Sequence, residues 1–433
     1  MSATVAAPSH SRFTPTSFAS PERLHALDIL RGLALFGMIL VHLKNLAGRE
    51  VTGLEGWIPW GVGVFVEQKA WGTFAFLFGV GFAVLLRRLD ARGEWAVPIF
   101  LRRLTALALF GVIAELFGFR ILFGYAWSGV ALLLIRRWSS RALMVTAVAA
   151  AASQPLIAEI NALVAWWTSA PPRPSPAAFE LARAVTTAMQ QGDYAAVMAA
   201  RWAQFVGTLP FFSWQGLVPD TNAALFIFGL LAVRHGVLDQ PLRHVRLIGG
   251  WMTFGVLSWA TSLLVLKNLP QIAIPNVGWP LVSGLGLIAE RWLCFTYIGA
   301  VVLLLAKRPQ WTTRLSFARN TGRMALTNYI VHAVVLDALT ANYGLGLKLR
   351  PIAYIALALL LFGTQAALST AWLARFQFGP LEWIWRSATY ARRPSRVRIV
   401  PSVAAGGVAS RMFGGAQEYA AGRWRKWNSR SSG

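Results

Sequence analysis

Apolar residues fall in long blocks separated by short polar connections, at about 23–46, 61–86, 98–118, 121–135, 142–168, 217–233, 246–266, 281–306, 324–341 and 351–373. A run of about 20 apolar residues is what a helix needs to cross a hydrocarbon core of about 30 Å. The pattern predicts an all-α, polytopic membrane helix bundle of about ten transmembrane helices. One stretch breaks the rhythm. Residues 169–216 open with the linker PPRPSP and continue, over 177–206, as an Ala-rich, mixed polar segment, which fits helices lying on the bundle. The layout is an arm over 1–22, a transmembrane domain over 23–373 carrying 169–216 as a partly helical insertion, and an amphipathic helix with a basic tail over 374–433. The arm is rich in Ala, Ser, Pro and Thr and lacks the basic-then-apolar order of a cleavable signal peptide, so it is expected to be disordered and the first span retained.

Charge gives the bundle a direction. Arg87, Arg88, Arg92, Arg102 and Arg103 fall on one side, as do Arg136, Arg137 and Arg141, then Arg234, Arg243 and Arg246, then Lys307, Arg308, Arg314, Arg319 and Arg323. Alternate loops are far poorer in Lys and Arg. The positive-inside rule then places both termini, and the basic tail, in the cytoplasm, with 169–216 extracytoplasmic. The net charge of +24 sits in short loops between apolar segments, so it reads as topology and contact with anionic membrane lipid, with no nucleic acid as partner.

Composition agrees: 56% of the 433 residues are hydrophobic and 13% charged, at a mean hydropathy of +0.51. The one cysteine, Cys294, leaves no disulfide or cysteine metal site within one chain. No His or Cys pair has metal-ligand spacing, so no metal is expected, and the lack of a GxxxxGK loop argues against an ATP-driven pump.

Candidate chemistry lies inside the spans, where an ionisable side chain costs roughly 2.5–3.5 kcal/mol and persists mainly where it faces a polar cavity or the bundle interior. The first span carries Asp28, Arg31 and His42. Arg31 and His42 are three helical turns apart, hence on one face and about 16 Å apart along the axis, and Asp28 shares that face. An imidazole there can take a proton from an acceptor, while the guanidinium holds a phosphate or thioester oxygen. Asn328 and His332, four residues apart, form a second pair suited to orienting a carbonyl, acting as an alternative base, or binding neighbouring helices together. Glu67 is placed to accept from His42 and fix its tautomer, beside Lys69, which interfacial snorkelling also explains. Glu115 and Arg323 complete the substrate-binding candidates, with Arg323 equally a cytoplasmic anchor. The segment FGPLEWIWR reads as an interfacial helix with Trp383 and Trp385 at the headgroups and Arg386 on lipid phosphate.

Three stretches carry a resemblance. LDILRG with its following helix, LFGVGFA at 77–83, and the C-terminal GRMALTNYIVH (322–332) with FGPLEWIWRSATY (378–390) resemble the YeiB-like family, a conserved membrane domain of unknown function. The resemblance covers most of 23–392 and implies a place in the wider transmembrane acyltransferase superfamily. In the branch that modifies surface polysaccharides, an arginine, ten residues and a histidine recur in the first span, and Arg31 with His42 fits. It implies His42 as base and Arg31 as part of an acyl-CoA site. The chain departs from the family in its third span, where GVIAELFGFRIL lacks the histidine and the acidic turn that relatives carry.

The expectation is an integral membrane acyltransferase of the bacterial plasma membrane, moving an acyl group, acetyl foremost, from cytoplasmic acyl-CoA to a hydroxyl or amine of the cell envelope or of a secondary metabolite. His42, Glu67 and His332 are its catalytic candidates; Asp28, Arg31, Glu115, Asn328 and Arg323 bind substrate. No permanently bound cofactor is expected, and a homo-oligomer is left open. The rivals are a transporter or exporter of a small anionic or lipid-linked solute, and a non-catalytic envelope scaffold.

Overall fold

The computed structural model describes residues 21–46, 53–168, 176–207, 209, 221–268 and 278–391. The arm up to residue 20, the linker up to Ser175 and the tail from 392 lie outside the described residues. Among those described, every regular element is helical. In chain order they are α1 (Pro21–Leu46), α2 (Trp57–Val62), α3 (Gln68–Asp90), α4 (Ala96–Leu116), α5 (Ile121–Ile135), α6 (Ser140–Trp167), α7 (Pro176–Gln191), α8 (Tyr194–Gly207), α9 (Thr221–Arg234), α10 (Val245–Asn268), α11 (Trp279–Lys307), α12 (Trp311–Arg314), α13 (Ser316–Arg323), α14 (Ala325–Thr340), α15 (Pro351–Arg375) and α16 (Pro380–Tyr390).

This is a multi-pass membrane helix bundle. Among the described residues, seven helical stretches are long and apolar enough to cross a membrane: α1, α2 with α3 as one 34-residue helix, α4, α6, α10, α11 and α15. Three shorter apolar helices, α5, α9 and α14, fall where further spans were expected. At 14 to 16 residues they reach only about 21–24 Å. The second span departs from its expected boundaries, starting at Trp57 and passing through a π-helical stretch, Gly63–Glu67, before α3.

The layering follows from which helices are apolar all round. α1 is the axis, with Leu27, Ile29, Leu30, Leu35, Met38 and Ile39 all buried. α9 is buried along nearly its whole length; its Phe226 stacks on Phe78 of α3 at 4.6 Å and meets Tyr125 of α5 at 5.1 Å. By contrast α6 and α10 expose Val145, Val148, Ile160, Phe254, Leu257 and Leu264, surface that hydrocarbon solvates without penalty. Trp57, Trp60, Trp166 and Trp167 are exposed at one end and Trp95 and Trp138 at the other, as interfacial belts are.

The end at which α1 begins is basic, and its arginines close helix termini. Arg234 donates to the carbonyls of Arg136 and Trp138, both at 2.7 Å, and Arg87 bonds Asp239 at 2.8 Å and the Val233 carbonyl. These cations satisfy the last carbonyls of their helices and oppose the dipole there. At the same end α1 and α13 meet backbone to backbone. A Cβ on Gly32 would overlap the Ala318 carbonyl, and one on Gly322 the Asp28 carbonyl. Only glycine permits that approach, and it holds Arg323 beside Asp28 and Arg31.

Candidate functional site

A cavity of about 330 Å³ opens among α1, α3, α4, α5, α14 and α16 near the basic end. Its mouth is charged. Asp28, Arg31, Arg103, Arg323, Glu382 and Arg386 line it there, four guanidiniums against two carboxylates. Along each wall the lining then turns apolar as it moves away from the basic end, through Leu107, Phe78, Phe74 and Leu122 to Met38 and Tyr329. From Asp28 to Met38 is ten residues of helix, about 15 Å. The space is therefore amphiphilic, suited to a molecule with an anionic head and a less polar arm.

The mouth is held by reciprocal contacts. Arg31 donates to Asp28 at 2.7 Å, the pair expected from their spacing. Arg103 lies over the Trp385 ring at 3.8 Å, and the Trp385 indole donates to the Arg103 carbonyl at 2.9 Å. Arg386 lies over Phe378 at 4.3 Å. Glu382 accepts from the amides of Leu326 at 2.7 Å and Thr327 at 3.0 Å and from the Thr327 hydroxyl at 2.6 Å. It thereby caps α14 from another element. Burial pushes its carboxyl above the ordinary range, against the pull of those hydrogen bonds.

One turn beyond the inner end stand the two histidines. His42 follows Met38 by four residues on α1, and His332 follows Tyr329 by three on α14. Their rings are 5.6 Å apart. Phe119, from the α4–α5 turn, covers both, at 4.1 Å from His42 and 5.4 Å from His332. Nδ1 of His332 lies 3.0 Å from the Asn328 carbonyl. A carbonyl only accepts, so Nδ1 carries the proton and Nε2 is left as the lone-pair nitrogen. Nδ1 of His42 and Nε2 of His332 are buried without a hydrogen-bond partner. Such nitrogens are costly when unpaired and suited to a bound polar group.

Thus Asp28, Arg31 and Arg323 come together at the mouth, and His42 with His332 beyond its inner end. The other candidates go elsewhere. Glu67 does not reach His42; it accepts from Lys44 at 2.5 Å, because positions 42 and 44 lie on nearly opposite sides of α1. Lys69 is not interfacial. It is 1% exposed, with Nζ 3.8 Å from Glu290, so a mid-helix pair explains it better than snorkelling. Glu115 is buried against Arg120, whose Nε is 2.6 Å away, and does not line the cavity. The Asn328 amide donates to the Thr321 carbonyl at 3.1 Å and the Ser369 hydroxyl at 2.9 Å, so it ties α13, α14 and α15 together and orients no substrate directly. In FGPLEWIWR, Trp385 lies under Arg103 and Arg386 lies over Phe378, so one face of α16 is a wall of the cavity.

Sequence reasoning missed Arg103, Glu382, Lys69 with Glu290, and a buried pair of Arg201 with Asp337. A lone acid inside an apolar helix was the available signal for Glu290 and Asp337, and Glu382 is the one acid in an otherwise aromatic segment. Neither signal names a partner across more than a hundred residues. Among the described residues no group of three or more His, Cys, Asp or Glu is placed to hold a metal.

Residues 232–392 match the family described as "Protein of unknown function (DUF418)", the stretch that supplies Arg323, Asn328, His332, Glu382 and Trp385. "Uncharacterized protein YxaH" of Bacillus subtilis is 29% identical over 414 residues, covering 85% of this chain and 94% of that protein. "Uncharacterized protein YeiB" of Escherichia coli is 26% identical over 411 residues, covering 85% and 96%. The family match and these likenesses agree with a resemblance to the YeiB-like family. The likeness to these relatives covers most of the chain. No solved structure matches.

Proposed function

We propose that this membrane protein is an acyltransferase that takes an acyl-CoA donor at the basic end of the bundle and passes the acyl group, acetyl foremost, to a hydroxyl or amine acceptor. The observation that carries the reading is a four-arginine mouth on an amphiphilic cavity whose inner residues, Met38 and Tyr329, stand one helical turn from a buried histidine pair. The arginines hold donor phosphates bidentately, and Asp28 keeps Arg31 in place. Thioester and arm lie along the apolar wall. Nε2 of His332, with His42 facing it, takes the acceptor's proton as its oxygen or nitrogen attacks the thioester carbon. The C–S bond then breaks, and the proton passes to the leaving thiolate. The basic end faces the cytoplasm of a bacterial plasma membrane in this reading, and the acceptor belongs to the envelope or is a small metabolite.

The test is binding first and product second. Purified protein in detergent should bind acetyl-CoA, and Arg31→Ala with Arg323→Ala should weaken that binding at least tenfold. Lipid and glycan mass profiles of cells with and without the protein should differ by one constant acyl mass. No binding at millimolar acetyl-CoA would sink the reading.

One observation favours transport instead. Lys44 with Glu67 and Lys69 with Glu290 form two ion pairs between α1, α3 and α11, and intramembrane charge often marks an ion path. Solute flux into vesicles without acetyl-CoA binding would decide for that reading.

A further inference from the structure

Helices α7 and α8 form a hairpin at the end of the bundle opposite the mouth, where Phe205 of α8 packs on Phe123 of α5 at 5.1 Å and a polar cluster adds a second hold. Arg201 of α8 is 4% exposed. Its guanidinium grips Asp337 of α14 through two bonds, at 2.6 and 3.1 Å, and donates to the Leu116 carbonyl at 2.7 Å. The Tyr343 hydroxyl bonds the same Asp337 carboxylate. Burial works against the Arg201 charge, but Asp337 outweighs it and holds the guanidinium above its usual value. Burial and the Asp337 bond push the Tyr343 hydroxyl up to about 12. Around this pair sit the Asn342 amide on the Gln190 carbonyl at 2.8 Å and Tyr194 edge-on to Tyr343 at 5.2 Å.

What the grip closes is the histidine pair. Leu116 ends α4, and the turn that follows carries Gly118, beside the Arg201 guanidinium, and Phe119, the ring laid over His42 and His332. Asp337 stands five residues beyond His332 on the same helix. Arg201 therefore fixes, in one grasp, both the turn that roofs the histidines and the helix that presents one of them.

We propose that the α7–α8 hairpin is a latched lid: with Arg201 engaged it holds Phe119 over the histidine pair, and its release opens the route by which acceptor reaches them. The route's use by an acceptor rests on the acyl-transfer reading; the gating of the histidines does not. The occupant the route suits is a molecule arriving from the side opposite the arginine mouth, so donor and acceptor meet from opposite ends and neither has to leave before the other enters.

The lock can be built. A Cβ on Gly192 would lie 3.5 Å from Cβ of Asn342, within disulfide range, and Cys294 is the chain's one native cysteine. Cys294→Ala with Gly192→Cys and Asn342→Cys should close the lid on oxidation. Gly192 has a positive φ, so the reduced form of the same variant is the control for strain. Diethyl pyrocarbonate modification of His42 and His332, followed by peptide mass spectrometry in nanodiscs, should run about tenfold slower oxidised than reduced. Replacing the pair together, Arg201→Met with Asp337→Asn, should run faster than wild type and avoids leaving one buried charge alone. Equal rates in the oxidised and reduced forms would overturn the lid. Rates that follow the lock while no acyl group is ever transferred would keep the lid and overturn the enzyme.

Discussion

Arg103 and Trp385 hold each other twice, the guanidinium lying 3.8 Å over the indole ring while the indole N–H donates at 2.9 Å to the arginine's own carbonyl. The first contact aims a cation into the cavity; the second fixes α16 to α4. Trp385→Phe keeps a ring under Arg103 but loses the hydrogen bond, and should cost about 1 kcal/mol of stability. Trp385→Ala loses both and should weaken acetyl-CoA binding about tenfold, read by titration calorimetry.

Replacing His332 with Ala should lower transfer by roughly 10²–10⁴ while leaving acetyl-CoA affinity within a few-fold of wild type. His42→Ala should show the same split. Comparing Kd with turnover checks it: loss of affinity in step with turnover would place the histidines in donor binding.

Glu382 sets a pH dependence. Its folded carboxyl is raised by burial above the ordinary 4.5, so between 4.5 and the higher folded value the folded chain holds a proton that the unfolded chain has lost. Its contribution to stability is then fully present below 4.5 and declines as pH rises through that window. Glu382→Gln keeps an acceptor for the Leu326 and Thr327 amides and should flatten the decline. Thermal unfolding from about pH 4 to 8 measures it.

Gly322→Ala should push α13 off α1, since its Cβ would overlap the Asp28 carbonyl. Overpacking of this kind costs about 1–3 kcal/mol, and it moves Arg323 away from Arg31. The expected result is a lower melting temperature together with weaker donor binding. An unchanged melting temperature would mean that the two helices are not in backbone contact.

Lys69 and Glu290 should behave as a cycle. Lys69→Met alone leaves the half-buried Glu290 carboxylate without its cation and should destabilise by about 3–5 kcal/mol, whereas adding Glu290→Gln should restore most of the loss. If instead the double variant is as unstable as the single, Lys69 has another partner.

Much of the bundle was legible because membrane burial writes itself in length. Blocks of about 20 apolar residues specify helices without help from tertiary context, and the short pair Asp28 and Arg31 follows from three-residue spacing on one helix. The pairing of His42 with His332 was not legible, since nothing local says that α1 and α14 are neighbours. Glu67 was misassigned for a related reason. Its proximity to the first span was read correctly but not the side of α1 it faces, and the π-helical stretch before it shifts the phase by which side chains are counted. The cavity-facing side of α16 was not legible, because an amphipathic helix facing a polar cavity has the same pattern as one facing headgroups.

Asp28 and Arg31 stand on the first helix of the bundle, and Glu382, Trp385 and Arg386 on the last described one. A chain still emerging from the ribosome therefore carries Arg31, Arg103 and Arg323 but lacks the wall that closes the mouth, however many of its spans are already inserted. The mouth is completed in a single late step of synthesis, when α16 packs against α4 and caps α14. A transcript broken shortly before residue 380 would yield a protein that enters the membrane with most of its helices and an anion site left open along one side.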